Sequence, residues 1–255
     1  MGEEMFMPSQ WTNKVKDICV DTKGMSAAEV IMCRAGNEPL FIKSIDCKYA
    51  NTTYSVKREH EIMQWLLGKL NVPKIFDFGK EYNREYMIMS ALQGIYIDDF
   101  KDKPEEYVAH LANCIKLVQS IDISNCAFDS TLNMRLAELK WLINNNLASL
   151  DDWEDTTTFT SPHELYQWLC DNKPTEDLIF SHGDITANFF VNGTDYFFYD
   201  MGRAGVADKW LDIAFCVSNI REFEDKKYEN RFFELLNIKP DYKKIEYFIL
   251  LDEMF

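Results

Sequence analysis

Near three-quarters of the way along the chain, two apolar runs each deliver an aspartate to a loop, and the hairpin signal between them limits how the segment can fold. Leu178-Ile179-Phe180 leads into Ser181-His182-Gly183-Asp184, while Tyr196-Phe197-Phe198-Tyr199 ends on Asp200 and Gly202. Between them, Phe189-Phe190-Val191 is followed by Asn192-Gly193, a dipeptide suited to the positive φ angles of a tight two-residue turn. A hairpin turning at Asn192-Gly193 brings the loop at Asp184 beside the strand end at Asp200, with Asn188 at its start.

Asn188 and Asp200 then offer an amide oxygen and a carboxylate. Such hard oxygen donors suit Mg2+, which takes one or two carboxylates beside phosphate oxygens and water. Asp184 is left to accept a proton from an attacking hydroxyl, the arrangement phosphoryl transfer requires. A rival reading stays open: His182 and Asp184 are two apart, a spacing also found in metal-dependent hydrolases. The chain has only four histidines (His60, His110, His163 and His182), so a His-rich metal site has few candidates. In the phosphoryl-transfer reading His182 braces the loop instead.

The first 90 residues read as strands plus one helix. Val15 to Val20, Glu29 to Cys33, Leu40 to Ile42, Lys74 to Phe78 and Tyr86 to Met89 are strand candidates, with Gly36-Asn37 as a turn. Tyr54 to Leu67 has helical periodicity, and Val56, Glu59, Met63 and Leu66 fall on one face. That face is otherwise apolar, so it carries Glu59 toward the core, where a carboxylate needs a cation. Lys43, at the end of Leu40-Phe41-Ile42, is the natural partner; the alternative is a face that drifts outward and leaves both residues solvated.

After a connector at Ser90 to Gly94 the chain turns helical. Val108, Leu111, Ile115 and Val118 form one stripe, and Leu136, Leu139, Leu142 and Ile143 another. Ser161-Pro162-His163-Glu164 reads as a helix start, with serine as cap and glutamate closing the box. A strand-rich front and a helical back containing one hairpin predict a two-lobed molecule, and ligand sites favour the cleft of such designs.

A net charge of -15 argues against a nucleic-acid partner, because a phosphate backbone wants clustered Lys and Arg, and it permits steering of a cationic ligand. Seven cysteines with no CxxC pair argue against a disulfide framework and a zinc site. The start MGEEMFMPSQ shows no signal peptide, and no apolar stretch is long enough to span a bilayer, so a cytoplasmic protein without membrane contact is expected.

SHGDITANFFV, FYDMGRAGVADKWLDIAFC and the ending ILLDEMF resemble the aminoglycoside 3'-phosphotransferases, relatives of the eukaryotic protein kinases. DTKGMSAAEV, LFIK, NTTYSVKREHEIMQWL and VPKIFDFG resemble that family's nucleotide-binding lobe, and SIDIS and RLAEL match as well. The resemblance covers essentially the whole chain. It implies an α+β, protein-kinase-like fold with a nucleotide-binding lobe over 1–90, a hinge over 91–94 and a helical lobe over 95–255. It also implies ATP and Mg2+, a cationic aminoglycoside as substrate, and a monomer or weak dimer.

By the same resemblance, Lys43 touches the α- and β-phosphates and is held by Glu59, and Ser26 approaches the phosphates. Phe41 stacks on adenine, whose edge is bonded by the backbone of Ser90 and Leu92. Asp184 is the catalytic base; Asn188 and Asp200 hold Mg2+. Asp252, Glu253 and the terminal carboxylate of Phe255 meet the substrate's ammonium groups, with Glu154 and Asp155 from an acidic run, Glu222 and Arg203 at matching positions.

Four departures bear on activity. Asp184 and Asn188 are four residues apart where the family has five, and Thr186-Ala187 replaces an acidic residue. Ser218 stands where an arginine is expected, and Phe223 where an acid is expected. The readings left open are an enzyme of altered range, a nucleotide-binding relative with weak or no activity, and a kinase for another small cationic metabolite.

Overall fold

The structure, a computed structural model, describes residues 5–21, 27–148, 153 and 157–255. It is α+β, as the sequence pattern implies. The strands are β1 (Lys16–Asp21), β2 (Glu29–Ala35), β3 (Glu38–Asp46), β4 (Ile75–Glu81), β5 (Arg84–Ser90), β6 (Ile95–Tyr96), β7 (Leu178–Ser181), β8 (Phe189–Asn192), β9 (Asp195–Phe198) and β10 (Gly205–Asp208). The helices are α1 (Val56–Leu66), α2 (Pro104–Gln119), α3 (Leu132–Asn144), α4 (Pro162–Asp171), α5 (Trp210–Arg221), α6 (Lys226–Leu236) and α7 (Tyr242–Asp252). Two compact units result, one of Met1–Ile95 with Phe189–Arg203, the other of Tyr96–Asn188 with Ala204–Phe255. No described helix is long and apolar enough to cross a membrane.

The first unit is an antiparallel sheet in the order β1-β2-β3-β5-β4, backed by α1. In β3 the period of two sends Leu40 and Ile42 to a core cluster with Phe6, Ile31, Cys33, Tyr86 and Ile88. Lys43 therefore points to the opposite face. Strand β3 runs past the expected Leu40 to Ile42 because Lys43, Ser44 and Ile45 pair with Met87, Tyr86 and Glu85. Ser55 caps α1 by accepting from the Arg58 N–H at 3.2 Å, which starts the helix at Val56 instead of Tyr54. Val56, Glu59, Met63 and Leu66 are all buried, as their spacing predicts.

The β8–β9 hairpin forms, one residue out of the expected register. Asn192 pairs with Asp195, so the two-residue loop is Gly193-Thr194, and Gly193 leads it at φ +63°. Glycine first is the other common tight-hairpin solution, and the β2–β3 loop uses it too, with Gly36 at φ +62°. After β9, Gly202 lies so close to α1's approach that an added Cβ would sit 2.6 Å from the Thr53 carbonyl oxygen. Only glycine fits there.

The second unit packs α2 through α7 around the antiparallel pair β7–β10. Val108, Leu111, Ile115 and Val118 form the buried stripe of α2. Ser161 caps α4 as expected, accepting from the Glu164 N–H at 3.2 Å, while the Glu164 carboxylate reaches the Thr160 N–H at 2.9 Å, one residue before the cap. Helix α7 is fixed by two polar ties: Tyr247 donates to the Leu169 carbonyl at 2.9 Å, and Lys244 meets buried Asp208 at 2.5 Å. Asp208 also accepts from the N–H groups of Asp177 and Trp210, each at 2.8 Å, so one carboxylate joins β10, α5 and α7. Removing it strands Lys244 and two amides. Asp208→Ala is expected to destabilise the protein by about 2–4 kcal/mol; urea denaturation of variant and wild type measures the loss.

Candidate active site

In the first unit, period-two alternation on β3 and the helical face of α1 direct Lys43 and Glu59 at each other, 2.7 Å apart. The Lys43 ammonium also meets Asp200, just beyond β9, at 2.6 Å. Glu59 accepts in addition from the Met201 N–H at 3.2 Å, which ties the segment after β9 to α1. Arg58 reinforces the tie by donating to the Gly202 carbonyl at 2.9 Å. Burial alone would lower the Lys43 pKa, but the Asp200 and Glu59 carboxylates together hold it above the ordinary lysine range. Burial raises Glu59, and Lys43 offsets this only in part.

The cluster holds one cation and two anions, with unequal access to water. The Glu59 side chain is 2% exposed and that of Asp200 38%. Asp200 also takes a left-handed backbone, φ +56°, a conformation that costs a non-glycine residue about 1 kcal/mol or more. Glu59 is the fixed anchor, and Asp200 the carboxylate able to serve a second cation.

In the second unit, the segment after β7 carries Asp184. Gly183 turns the chain at φ +82°. Asp212, buried on α5, accepts from the N–H of His182 and the N–H of Gly183, both at 2.8 Å. Burial lifts the Asp212 carboxyl above its usual range, against the pull of His182 and these amides. Sequence reasoning missed Asp212; its one signal is a lone acid inside the apolar run of Trp210 to Ile220. Buried Arg135 of α3, also missed, donates to the Gly183 carbonyl at 3.3 Å and lies 5.5 Å over the Phe255 ring.

Asn188 folds back on the loop, its Nδ2 donating to the Asp184 carbonyl at 2.7 Å. The four-residue spacing therefore still gives a closed loop. Its amide nitrogen is committed, so its oxygen is the atom that can serve a metal. The Asn188 oxygen in this unit and the Asp200 carboxylate in the first unit are each the kind of hard donor that Mg2+ takes. His182 is fully buried, and among the described residues no three His, Cys, Asp or Glu side chains gather as a metal-binding group. The hydrolase reading is left without a ligand set among them.

The other candidates are placed as follows. Phe41 is half-buried in β3, between Met32 and Met89 in register. The Ser90 N–H is taken by the Lys74 carbonyl at 2.9 Å, so any adenine contact from Ser90 falls to its carbonyl; Leu92 is half-buried. Arg203 lies over the Tyr54 ring at 5.5 Å. Glu222 pairs with Lys101 at 3.0 Å, and Lys101 also approaches Asp98 at 3.6 Å. Glu253 accepts from Thr157 at 2.7 Å, and the Phe255 N–H donates to the Asp252 carbonyl at 2.9 Å. Phe223, found in place of an acid, stacks edge-on between Tyr107 (5.5 Å) and Tyr228 (5.4 Å). Ser26, Glu154 and Asp155 lie outside the described residues.

The chain is similar to known proteins over most of its length. A family model described as "Phosphotransferase enzyme family" matches residues 32–248. An aminoglycoside 3'-phosphotransferase of Campylobacter jejuni is 53% identical over 92% of this chain and 95% of its own length. One from Enterococcus faecalis is 48% identical over 93% of each. The crystal structure of an aminoglycoside-3'-phosphotransferase of type VIII superposes with a TM-score of 0.81 at 22% identity, covering 95% of this chain and 94% of that one. The fold is thus kinase-like.

The Lys43 cluster generates a signed pH dependence. Lys43→Met leaves the buried Glu59 carboxylate and Asp200 without their cation, and is expected to destabilise by about 2–4 kcal/mol near neutral pH. Glu59 already binds its proton more tightly folded than unfolded, so protonating it stabilises the fold as pH falls. Without Lys43 nothing opposes that rise, so the variant gains more from protonation than the wild type does, and the gap in Tm between them should narrow from about pH 7.5 to about pH 5. A gap that widens instead would contradict the buried-pair assignment.

Proposed function

Because this chain belongs to the phosphotransferase enzyme family, we propose that it transfers the terminal phosphoryl group of ATP to a hydroxyl of an aminoglycoside, the 3'-hydroxyl, and so confers resistance. The observation that carries this reading is the buried Lys43 ammonium gripped by Glu59 and Asp200: a desolvated, positioned cation suited to phosphate oxygens.

We assign Lys43 to the α- and β-phosphates, with Glu59 holding its ammonium in place. Phe41 stacks on adenine, the Ser90 carbonyl and the Leu92 backbone bond its edge, and Ser26 approaches the phosphates. Asn188 and Asp200 would hold Mg2+, which when bound neutralises charge on the phosphate oxygens. Asp184 accepts the proton of the attacking hydroxyl. As the new O–P bond forms, the bond to the β-phosphate oxygen breaks and ADP leaves with the electron pair. The transition state is loose, so the proton moves late and placement of Asp184 counts for more than its basicity.

The substrate is a polycation. Asp252, Glu253, Glu154, Asp155 and Glu222 supply charge-assisted acceptors for its ammonium groups beside Phe255, and Arg203 lies at the family's matching position. The net charge of -15 adds long-range attraction. A phosphate placed on the drug adds negative charge where binding to its target needs positive charge. The cytoplasm, which supplies ATP, is the compartment we assign.

Production of the protein in a susceptible bacterium should raise tolerance to kanamycin, neomycin or amikacin. Asp184→Ala should abolish that protection, lowering kcat by about a hundredfold or more while leaving ATP affinity nearly intact. Equal protection by the variant would remove the base assignment. A wild-type protein that binds ATP yet consumes none with any aminoglycoside would favour a nucleotide-binding relative, and turnover with a different small amine would favour a metabolite kinase.

A further inference from the structure

We propose that Asn219 is a positioning residue that fixes the shortened loop around Asp184 from the C-terminal end of α5, an inference that rests on the function proposed above. The loop is held at two places by one helix. Ahead of Asp184, Asp212 accepts from the His182 and Gly183 N–H groups at 2.8 Å each. Behind it, the Asn219 Nδ2 donates to the Thr186 carbonyl at 3.1 Å.

Asp212 and Asn219 are seven residues apart, so they recur on one face of the helix after about two turns, roughly 10 Å along its axis. Helix α5 is thus a rigid rail with a fixed acceptor at one end of the loop and a fixed donor at the other. The loop between has no ladder of its own to satisfy its carbonyl groups, and such groups need donors when they leave water. Two side-chain amides supply them: Asn188 serves the carbonyl of Asp184 at 2.7 Å, and Asn219 serves that of Thr186.

Asn219 is itself held. Its Nδ2 also lies 3.4 Å from the hydroxyl oxygen of Tyr107, a fully buried residue of α2. The two N–H bonds of one amide therefore go to two fixed oxygens, which sets the plane of the amide and the height of the Thr186 carbonyl. The brace from α5 thus adds a constraint at Thr186 to a segment that the Asn188 amide ties at Asp184. Displacing a catalytic group by about 1 Å can cost about a hundredfold in rate.

The test compares the full-length wild type with Asn219→Ala and with Asn219→Asp, which keeps the shape but replaces the donor with an acceptor. Steady-state kinetics with ATP and kanamycin, Tm, and amide hydrogen exchange across 184–188 are read together. The expected result for Asn219→Ala is a kcat lower by about tenfold, KM for both substrates within about twofold, and exchange in the loop faster by a similar factor. Asn219→Asp should do the same or worse, and it carries the test if the alanine variant does not fold. A kcat within about twofold of wild type with unchanged exchange overturns the proposal. So does a lowered Tm with intact kcat in the folded enzyme, which is the mark of a residue that only stabilises. If the wild type phosphorylates no aminoglycoside, the functional reading fails separately, and loop exchange alone decides: faster in both variants supports the brace, unchanged refutes it.

Discussion

Much of the first unit turns on one buried ammonium. Lys43 can leave water only because Glu59 and Asp200 meet it at 2.7 and 2.6 Å. A lone buried cation would lose its proton or leave its strand unstable. The pairing fixes three elements against one another: β3 through Lys43, α1 through Glu59, and the segment after β9 through Asp200 and the Met201 N–H. The Gly202 contact with Thr53 allows the close approach that this geometry needs. With two carboxylates against one ammonium, the cluster keeps a residual negative charge. Because Asp200 is the more exposed of the two, that charge is available to a divalent cation without dismantling the Lys43–Glu59 pair.

The second unit solves a different problem, placing one carboxylate in an irregular loop. Here the fixing forces act on backbone. Asp212 holds two amides ahead of Asp184, Arg135 holds the Gly183 carbonyl, and Asn188 returns to the Asp184 carbonyl. The guanidinium of Arg135 also lies over the Phe255 ring, so the loop and the chain terminus share one buried group. The terminus is steadied independently by α7, through Lys244–Asp208 and Tyr247. The acidic ending is therefore a defined feature of the unit.

What could be read from the sequence follows from where each signal resides. Glu59 was legible because a carboxylate on an apolar helical face is expensive, and expense demands a cation. The hairpin was legible through its glycine, but the one-residue error in its turn arose because Asn-Gly and Gly-Thr loops compete for the same stretch. Strand β3 extends beyond its apolar residues because its polar continuation is held by pairing with β5, which local propensity does not report. Asp212 and Asn219 escaped because their partners are backbone groups of a distant loop, and a backbone group leaves no mark in the side-chain alphabet. The contact of Lys43 with Asp200 spans 157 positions and no pattern of spacing encodes it.

Packing joins position 223 to the loop around Asp184. The Phe223 ring meets that of Tyr107 edge-on while Tyr228 closes its other side. Tyr107 is fully buried, and its hydroxyl lies at the Asn219 amide that serves the Thr186 carbonyl. An exposed carboxylate at 223 would give Tyr107 no such edge contact, since edge-to-face aromatic pairs contribute about 0.5–1.5 kcal/mol beyond burial. Phe223 is thus a wedge behind the side chain that holds the Thr186 carbonyl. Glu222, next to it in sequence, pairs with Lys101 at 3.0 Å. The rings of Phe223, Tyr107 and Tyr228 and the Asn219 amide therefore form one packed chain that ends on the Thr186 carbonyl.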